Sequence, residues 1–289
     1  MIAAGWWLVG ALAVARAVYP RMLERRQSGR LVMGGDGVIV GAGPIDLARP
    51  GAPGVLVLHG GGDTPQSVRE LADHLFAGGY SVRAPLLADH GRSLKHFRGF
   101  DAAKWRDQVR SEFHAMRAHH PWVAVVGQSV GGGLALDLAA TNADVRALVL
   151  LTPWVAMPKR LAFLARTSSA WGPLFPYLPS LGGRSIHDPG VRSQALTRGI
   201  VTPQGLRAFA AVALNADQAL TGVRIPTLMI QSSEDERVSR ADAQRAFDRL
   251  GATDKKLEWT SGAGHVVSVD YGKERVFALT AEWLDTHRA

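Results

Sequence analysis

Val123-Ala124-Val125-Val126-Gly127-Gln128-Ser129-Val130-Gly131 is the stretch on which the fold turns. Its first four residues form an apolar run with the length of a strand buried on both faces. Residues 127–131 then match G-x-S-x-G, and residues 130–140 read as a helix. Strand, sharp turn and helix in that order is the setting in which this motif lifts a serine above a sheet, its glycines admitting close backbone approach. The competing reading is a serine that merely caps a helix in a Gly-rich turn. A five-residue motif alone is a weak signal, so its surroundings decide its meaning.

Outward from this stretch the chain alternates short apolar runs with amphipathic segments. Strands are expected at 38–40 (opening the sheet), 55–58, 81–84, 123–126, 147–151, 227–230 and 257–260. Helices are expected at 65–77, 102–118, 130–140, 241–250 and 275–286, with Trp105, Val109, Phe113 and Met116 roughly on one face of the second. This alternation predicts an α/β fold, a mostly parallel sheet with helices on both faces. Residues 153–222 break the rhythm. Five prolines from Pro153 to Pro179 sit beside Trp154, Phe163, Trp171, Phe175 and Tyr177. As a plain loop this segment would expose a large apolar patch, so it reads as a cap folded over the sheet.

Other strand ends carry matching chemistry. His59-Gly60-Gly61-Gly62 follows the strand at 55–58, and small residues there let backbone N–H groups face a developing oxyanion. The two donors would be those of Gly61 and Val130. A flexible loop or a phosphate cradle is the alternative, but no phosphate-loop or dinucleotide spacing is present. Glu234, Asp235 and Glu236 follow the strand at 227–230, where an acid can reach a histidine. Gly262-Ala263-Gly264-His265 follows the last strand. His74, His114, His119 and His120 lie on or near helix faces and read as solvated, and His90 as a loop residue. No His and carboxylate cluster has zinc spacing. The order Ser129, an acid near 235, then His265 is that of an α/β-hydrolase.

On these residues the chain resembles the α/β-hydrolase superfamily from about residue 50 onward, and within it the bacterial carboxylesterase and monoacylglycerol-lipase branch. Pro226-Thr227-Leu228-Met229-Ile230-Gln231 through Asp235-Glu236 resembles that branch's acid loop, and the resemblance points to Asp235 among the three carboxylates. Gly264-His265-Val266-Val267-Ser268-Val269-Asp270 resembles its histidine segment; His59-Gly60 and Asp89-His90-Gly91 also fit. The His-Gly-Gly-Gly string and the Asp before His90 depart from the pattern. The resemblance implies hydrolysis of carboxylic esters through an acyl-enzyme, with Ser129 as nucleophile, His265 as base and Asp235 orienting it. A small-molecule ester would be the partner, and no cofactor or metal is called for. An acyltransferase, a peptidase or a non-catalytic member of the fold are the alternatives.

Composition sets the bounds. Of 289 residues, 47% are hydrophobic and 20% charged, as in a well-packed soluble core, which excludes disorder as the dominant state. The absence of cysteine excludes thiol nucleophiles, disulfides and Cys-bound metals. The formal charge is +8. Residues 1–30 hold Arg16, Arg21, Arg25, Arg26 and Arg30 against Glu24, net +4, leaving +4 over the remainder. No run of interleaved cations and aromatics suits nucleic acid. Residues 2–15 are an uncharged apolar run, and with a snorkelling Arg16 residues 1–19 reach the length of a membrane span. The expectation is an N-terminal membrane anchor over 1–30, with its basic flank keeping a hydrolase domain over 37–289 cytoplasmic; a cleaved signal peptide or a docked helix is the rival.

Overall fold

The computed structural model describes residues 14, 18–180 and 185–288. Among them no helix is long and apolar enough to cross a membrane. The expected anchor over 1–19 lies outside the described residues except for Val14, Val18 and Tyr19.

Nine strands are present among the described residues: β1 (Ile45–Leu47), β2 (Gly54–Leu58), β3 (Ser81–Ala84), β4 (Val123–Gln128), β5 (Val145–Leu151), β6 (Leu178–Pro179), β7 (Ile200–Val201), β8 (Thr227–Ser232) and β9 (Lys255–Thr260). Seven make one sheet in the order β1-β3-β2-β4-β5-β8-β9. Every pairing in it is parallel except that of β1 with β3. Alternate side chains feed two cores. Leu56, Val125 and Leu148 join the cluster under α2 (Ala102–Arg117) and α3 (Val130–Thr141). Val57, Val126 and Val149 join the cluster under α1 (Arg69–Ala77) and the last helix, Lys273–His287. This is the doubly covered parallel sheet of an α/β fold. Helix α2 begins where Asp101 accepts from the N–H groups of Ala103 (2.8 Å) and Lys104 (3.3 Å), and it buries the stripe Trp105, Val109, Phe113 and Met116.

Two local expectations are corrected. Residues 38–40 do not open the sheet: Ile39 makes only an isolated antiparallel bridge to Met33, because the turn at Gly37 and Gly41, both at positive φ, folds the segment on itself. His120 is not solvated; it is half-buried, with Nδ1 2.7 Å from the Ala52 carbonyl.

The span 153–222 contains α4 (Lys159–Trp171), the β6–β7 pair, α5 (Pro189–Gln194) and α6 (Pro203–Ala219). Pro at the first turn and a Thr202 side chain that accepts from Gly205 N–H start α6. Its Ala208, Val212 and Ala213 enter the main core, so the far end of the insertion is anchored in the body.

A helix over 18–27 lies against this insertion. Tyr19 and Leu23 pack on Leu94, Tyr177 and Ile200. Glu24 accepts from the Leu94 N–H at 2.9 Å. Gln27 and Arg198 bind reciprocally, Gln27 Nε2 donating to the Arg198 carbonyl at 2.7 Å and Arg198 Nη1 to Gln27 Oε1 at 3.2 Å. Arg30 donates to the carbonyls of Ala195 and Thr197. Packing on the body therefore begins well before residue 37.

His59 and His90 are fully buried, their rings 5.1 Å apart. His59 donates from Nδ1 to the Gly60 carbonyl (2.8 Å) and accepts the Leu87 N–H at Nε2 (3.0 Å), which fixes a neutral ring and the course of the loop after β2. His90 stacks on Phe100 at 4.3 Å. Burial pulls His59 down from 6.5 to about 4, and burial with the neighbouring His59 holds His90 well below its ordinary value.

Two outcomes are expected. Deleting residues 1–30 leaves the buried Arg198 short of partners and lowers Tm by roughly 5–10 °C, a loss of about 2–3 kcal/mol in a chain of this size. Calorimetry of the truncated and full chains checks this. Second, between pH 6.5 and 4 the unfolded chain takes up a proton that native His59 refuses. Stability is present in full above 6.5 and falls by about 3 kcal/mol toward pH 4 from this group alone. Melting curves from pH 7 to 4 should be shallower in pH for His59→Gln than for the parent; parallel profiles would discard the assignment.

Candidate active site

Ser129 sits between β4 and α3 at φ 54° and ψ −118°, outside the regions that side chains favour. The chain can turn so sharply because its flanks lack side chains. A Cβ on Gly127 would lie 2.5 Å from the Gly131 carbonyl oxygen, and one on Gly131 would lie 2.4 Å from that of Leu58. The residue is 7% exposed.

Three of the residues singled out in the sequence meet here. Ser129 Oγ is 2.7 Å from His265 Nε2, and His265 Nδ1 is 2.8 Å from Asp235 Oδ2. An Nδ1–H donated to the carboxylate leaves Nε2 to accept the serine hydroxyl. The Asp235 side chain is 1% exposed. Burial alone pushes its carboxyl up, but His265 and the N–H groups of Arg237 (2.7 Å) and Val238 (3.1 Å) outweigh this, so it titrates below the ordinary carboxylate range. Gln231 Nε2 donates to Oδ2 as well, at 2.8 Å. Glu234 and Glu236 are exposed; Glu234 accepts from the Gly262 N–H at 2.7 Å.

The loop after β2 lies against the serine. A Cβ on Gly61 would be 2.7 Å from Val130 Cγ2 and 2.5 Å from Phe209 Cε1, so this strip of backbone, Val130 and α6 converge. Val130 is the first residue of its helix, where an N–H has no intrahelical carbonyl to bind. The Gly61 N–H has no hydrogen-bond partner among the described residues. Both N–H groups are free to meet an anionic oxygen. Among the described residues no group of three or more His, Asp or Glu side chains could hold a metal ion.

Several supporting residues were not among the site residues expected from the sequence. The His265 carbonyl accepts from Thr152 Oγ1 (2.7 Å) and Gln128 Nε2 (3.1 Å), both buried. Gln128 occupies a variable position of the motif, and Thr152 follows a strand with no motif. Trp154 stands edge-on to the His265 ring at 6.4 Å and donates to the Phe209 carbonyl at 3.0 Å. Asp270 accepts from four N–H groups: Gly264 and His187 at 2.7 Å, Tyr271 at 2.9 Å and Asp188 at 3.0 Å. Burial raises its carboxyl pKa, and these four bonds more than reverse that. It ends the histidine segment, which was its available clue.

Comparison with known proteins identifies the family and the fold. The family model described as serine aminopeptidase, S33, matches residues 52–271. A thermostable monoacylglycerol lipase of Bacillus sp. (strain H-257) is 28% identical over 86% of this chain and 97% of its own. A carboxylesterase of Bacillus subtilis (strain 168) is 22% identical over 82% and 94%. Among solved structures, one from work on the metagenome-derived lipolytic enzymes LipS and LipT superposes with a TM-score of 0.80 at 26% identity, over 86% of this chain and all of that one. A monoacylglycerol lipase of Paleococcus ferrophilus gives a TM-score of 0.74 at 19% identity, over 84% and 98%, a likeness of fold. The chain therefore belongs to the serine aminopeptidase S33 family of α/β-hydrolases and is lipase- or esterase-like within it.

Proposed function

We propose that this protein is a serine esterase that cleaves carboxylic esters, acyl or monoacylglycerol-like, through an acyl-enzyme. One observation carries the reading: the unbroken hydrogen-bonded chain from Ser129 Oγ through His265 to buried Asp235, beside two unengaged N–H groups. Ser129 Oγ attacks the acyl carbonyl carbon while its proton passes to His265 Nε2. The carbonyl oxygen becomes an oxyanion between the N–H groups of Gly61 and Val130, a donor pair in which each member is worth about 3 kcal/mol. Asp235, ionised at neutral pH, orients His265 and stabilises its cation. The tetrahedral intermediate expels the alkoxide, which takes the proton from His265 and departs as alcohol. Water, deprotonated by His265, then releases the acid and restores Ser129. Residues 153–222 act as the cap over this site, within a hydrolase domain over 37–289 to which the helix over 18–27 is packed, and membrane association through residues 1–19 belongs to the same proposal.

Esterase is favoured over peptidase because the two relatives above are named for ester hydrolysis. The family description, serine aminopeptidase, is what keeps a peptidase as the second reading. Assays on p-nitrophenyl esters of two to twelve carbons, on a monoacylglycerol and on amino-acid p-nitroanilides separate them. Ester turnover should dominate, and Ser129→Ala should lower kcat by ~10⁴ while leaving the fold intact. Anilide turnover exceeding that of every ester would move the assignment to peptidase, and an active Ser129→Ala would end the serine mechanism.

A further inference from the structure

The positive charge of this chain is segregated. Residues 153–222 hold seven Lys and Arg against Asp188 and Asp217, net +5 of the total +8, and residues 1–30 hold +4, leaving −1 for everything else. The helix over 18–27 packs on Tyr177 and Ile200, and Arg30 donates to the carbonyls of Ala195 and Thr197, so the described parts of the two basic stretches adjoin.

A cavity of about 360 Å³ opens among the 3₁₀ helix Leu94–Gly99, the C-terminal end of α4 and the first turn of α6. Arg98, Arg166 and Arg207 line it, with Ser168, Ser169 and Gln204 between them, and no Asp or Glu does. Among the described residues none of the three guanidinium groups has a carboxylate within ion-pair distance. Arg207 donates to Ser168 Oγ at 2.7 Å, and Arg166 lies over the Phe163 ring at 5.8 Å. At the carbonyl end of α4, which would repel an anion, two carbonyls are already engaged: Gly172 N–H binds that of Ser168 at 2.9 Å, and the N–H groups of Leu174 and Phe175 bind that of Trp171 at 3.0 Å.

Three like charges around one cavity repel one another, and an anion between them turns that repulsion into attraction. We propose that this cavity binds a phosphate group through Arg98, Arg166 and Arg207. A carboxylate offers two oxygens and one charge, which a single guanidinium satisfies in bidentate fashion. A phosphate offers a tetrahedral set of acceptors that several planar forks can share. Two sources supply that group. Phe163, Leu174 and Phe175 are exposed beside the cavity-lining Arg166, Pro173 and Pro176, which suits a phospholipid whose chains lie along them. A free phosphate ester carries the same headgroup chemistry.

The full chain is titrated calorimetrically with inorganic phosphate and with glycerol 3-phosphate, and floated with vesicles of phosphatidylglycerol or of phosphatidylcholine. Arg166→Gln/Arg207→Gln is compared with Arg69→Gln/Arg275→Gln, which removes equal charge from elsewhere on the surface. Saturable binding that weakens at least about tenfold in the cavity variant but not in the control supports the site. Binding of the soluble probes identifies a free phosphate ester; flotation confined to phosphatidylglycerol vesicles identifies a lipid headgroup. No saturable binding of any probe, or equal loss in both variants, overturns the proposal. Retained p-nitrophenyl ester turnover verifies that the variants are folded.

Discussion

A serine held at φ 54° costs of order 1–3 kcal/mol, and the backbone around Ser129 is arranged so that it has no alternative. Its N–H is bound to the Leu151 carbonyl at 2.9 Å, and its own carbonyl accepts from Trp154 (2.9 Å) and Gly133 (3.1 Å). The four residues from Leu151 to Trp154 thus clamp Ser129, and Thr152 within them also holds the His265 carbonyl. One turn after β5 consequently fixes both ends of the Ser129–His265 bond. The Thr152 N–H closes the arrangement on the Ile230 carbonyl at 2.8 Å, at the end of the strand that leads to Asp235. Parallel strands of matched register make this economy available: their C-terminal ends lie side by side, so short turns reach one another directly.

The insertion is tied to the same point. Thr197 Oγ1 donates to the Gly62 carbonyl at 2.9 Å, and the Leu196 N–H to Gln66 Oε1 at 2.9 Å, across the loop that carries Gly61. On the opposite side the carboxylate of Asp270 joins His187 and Asp188 of the insertion to Gly264, next to His265. Residues of the insertion therefore bond to the segments on both sides of Ser129, through the Thr197 side chain and Leu196 N–H on one side and the His187 and Asp188 N–H groups on the other. A shift of the insertion would be felt at Gly62, next to Gly61, and, through the Asp270 carboxylate, at Gly264, next to His265.

Much of this was legible beforehand because strand burial leaves a strong mark. The apolar runs at 55–58, 123–126 and 227–230 are central strands in the sheet, and the residues at their ends form the site. What escaped the sequence escaped for physical reasons. Ile39 is as apolar as a strand residue, but glycines at positive φ on either side turn its segment back. His120 lies at the end of an amphipathic helix, and only the fold brings the Ala52 carbonyl to it. Gln128 and Thr152 act by satisfying a backbone group distant in sequence, for which no residue spacing exists. The charge asymmetry was present in the counts, yet a sum over the chain beyond residue 30 averaged the basic insertion with a body that is nearly neutral.

The contact of Gly61 with Phe209 bears on how this chain can vary. Any side chain at 61 would strike the Phe209 ring and Val130, and the ring belongs to the insertion while the glycine belongs to the body. The two positions are not independent sites. A larger residue at 61 becomes admissible only after 209 and 130 have been cut back, and truncation at 209 alone leaves an unfilled space against the loop. Scans that change one position at a time would score both as intolerant and miss the joint solution. Divergence of this site, natural or directed, is channelled through paired exchanges across the body–insertion boundary.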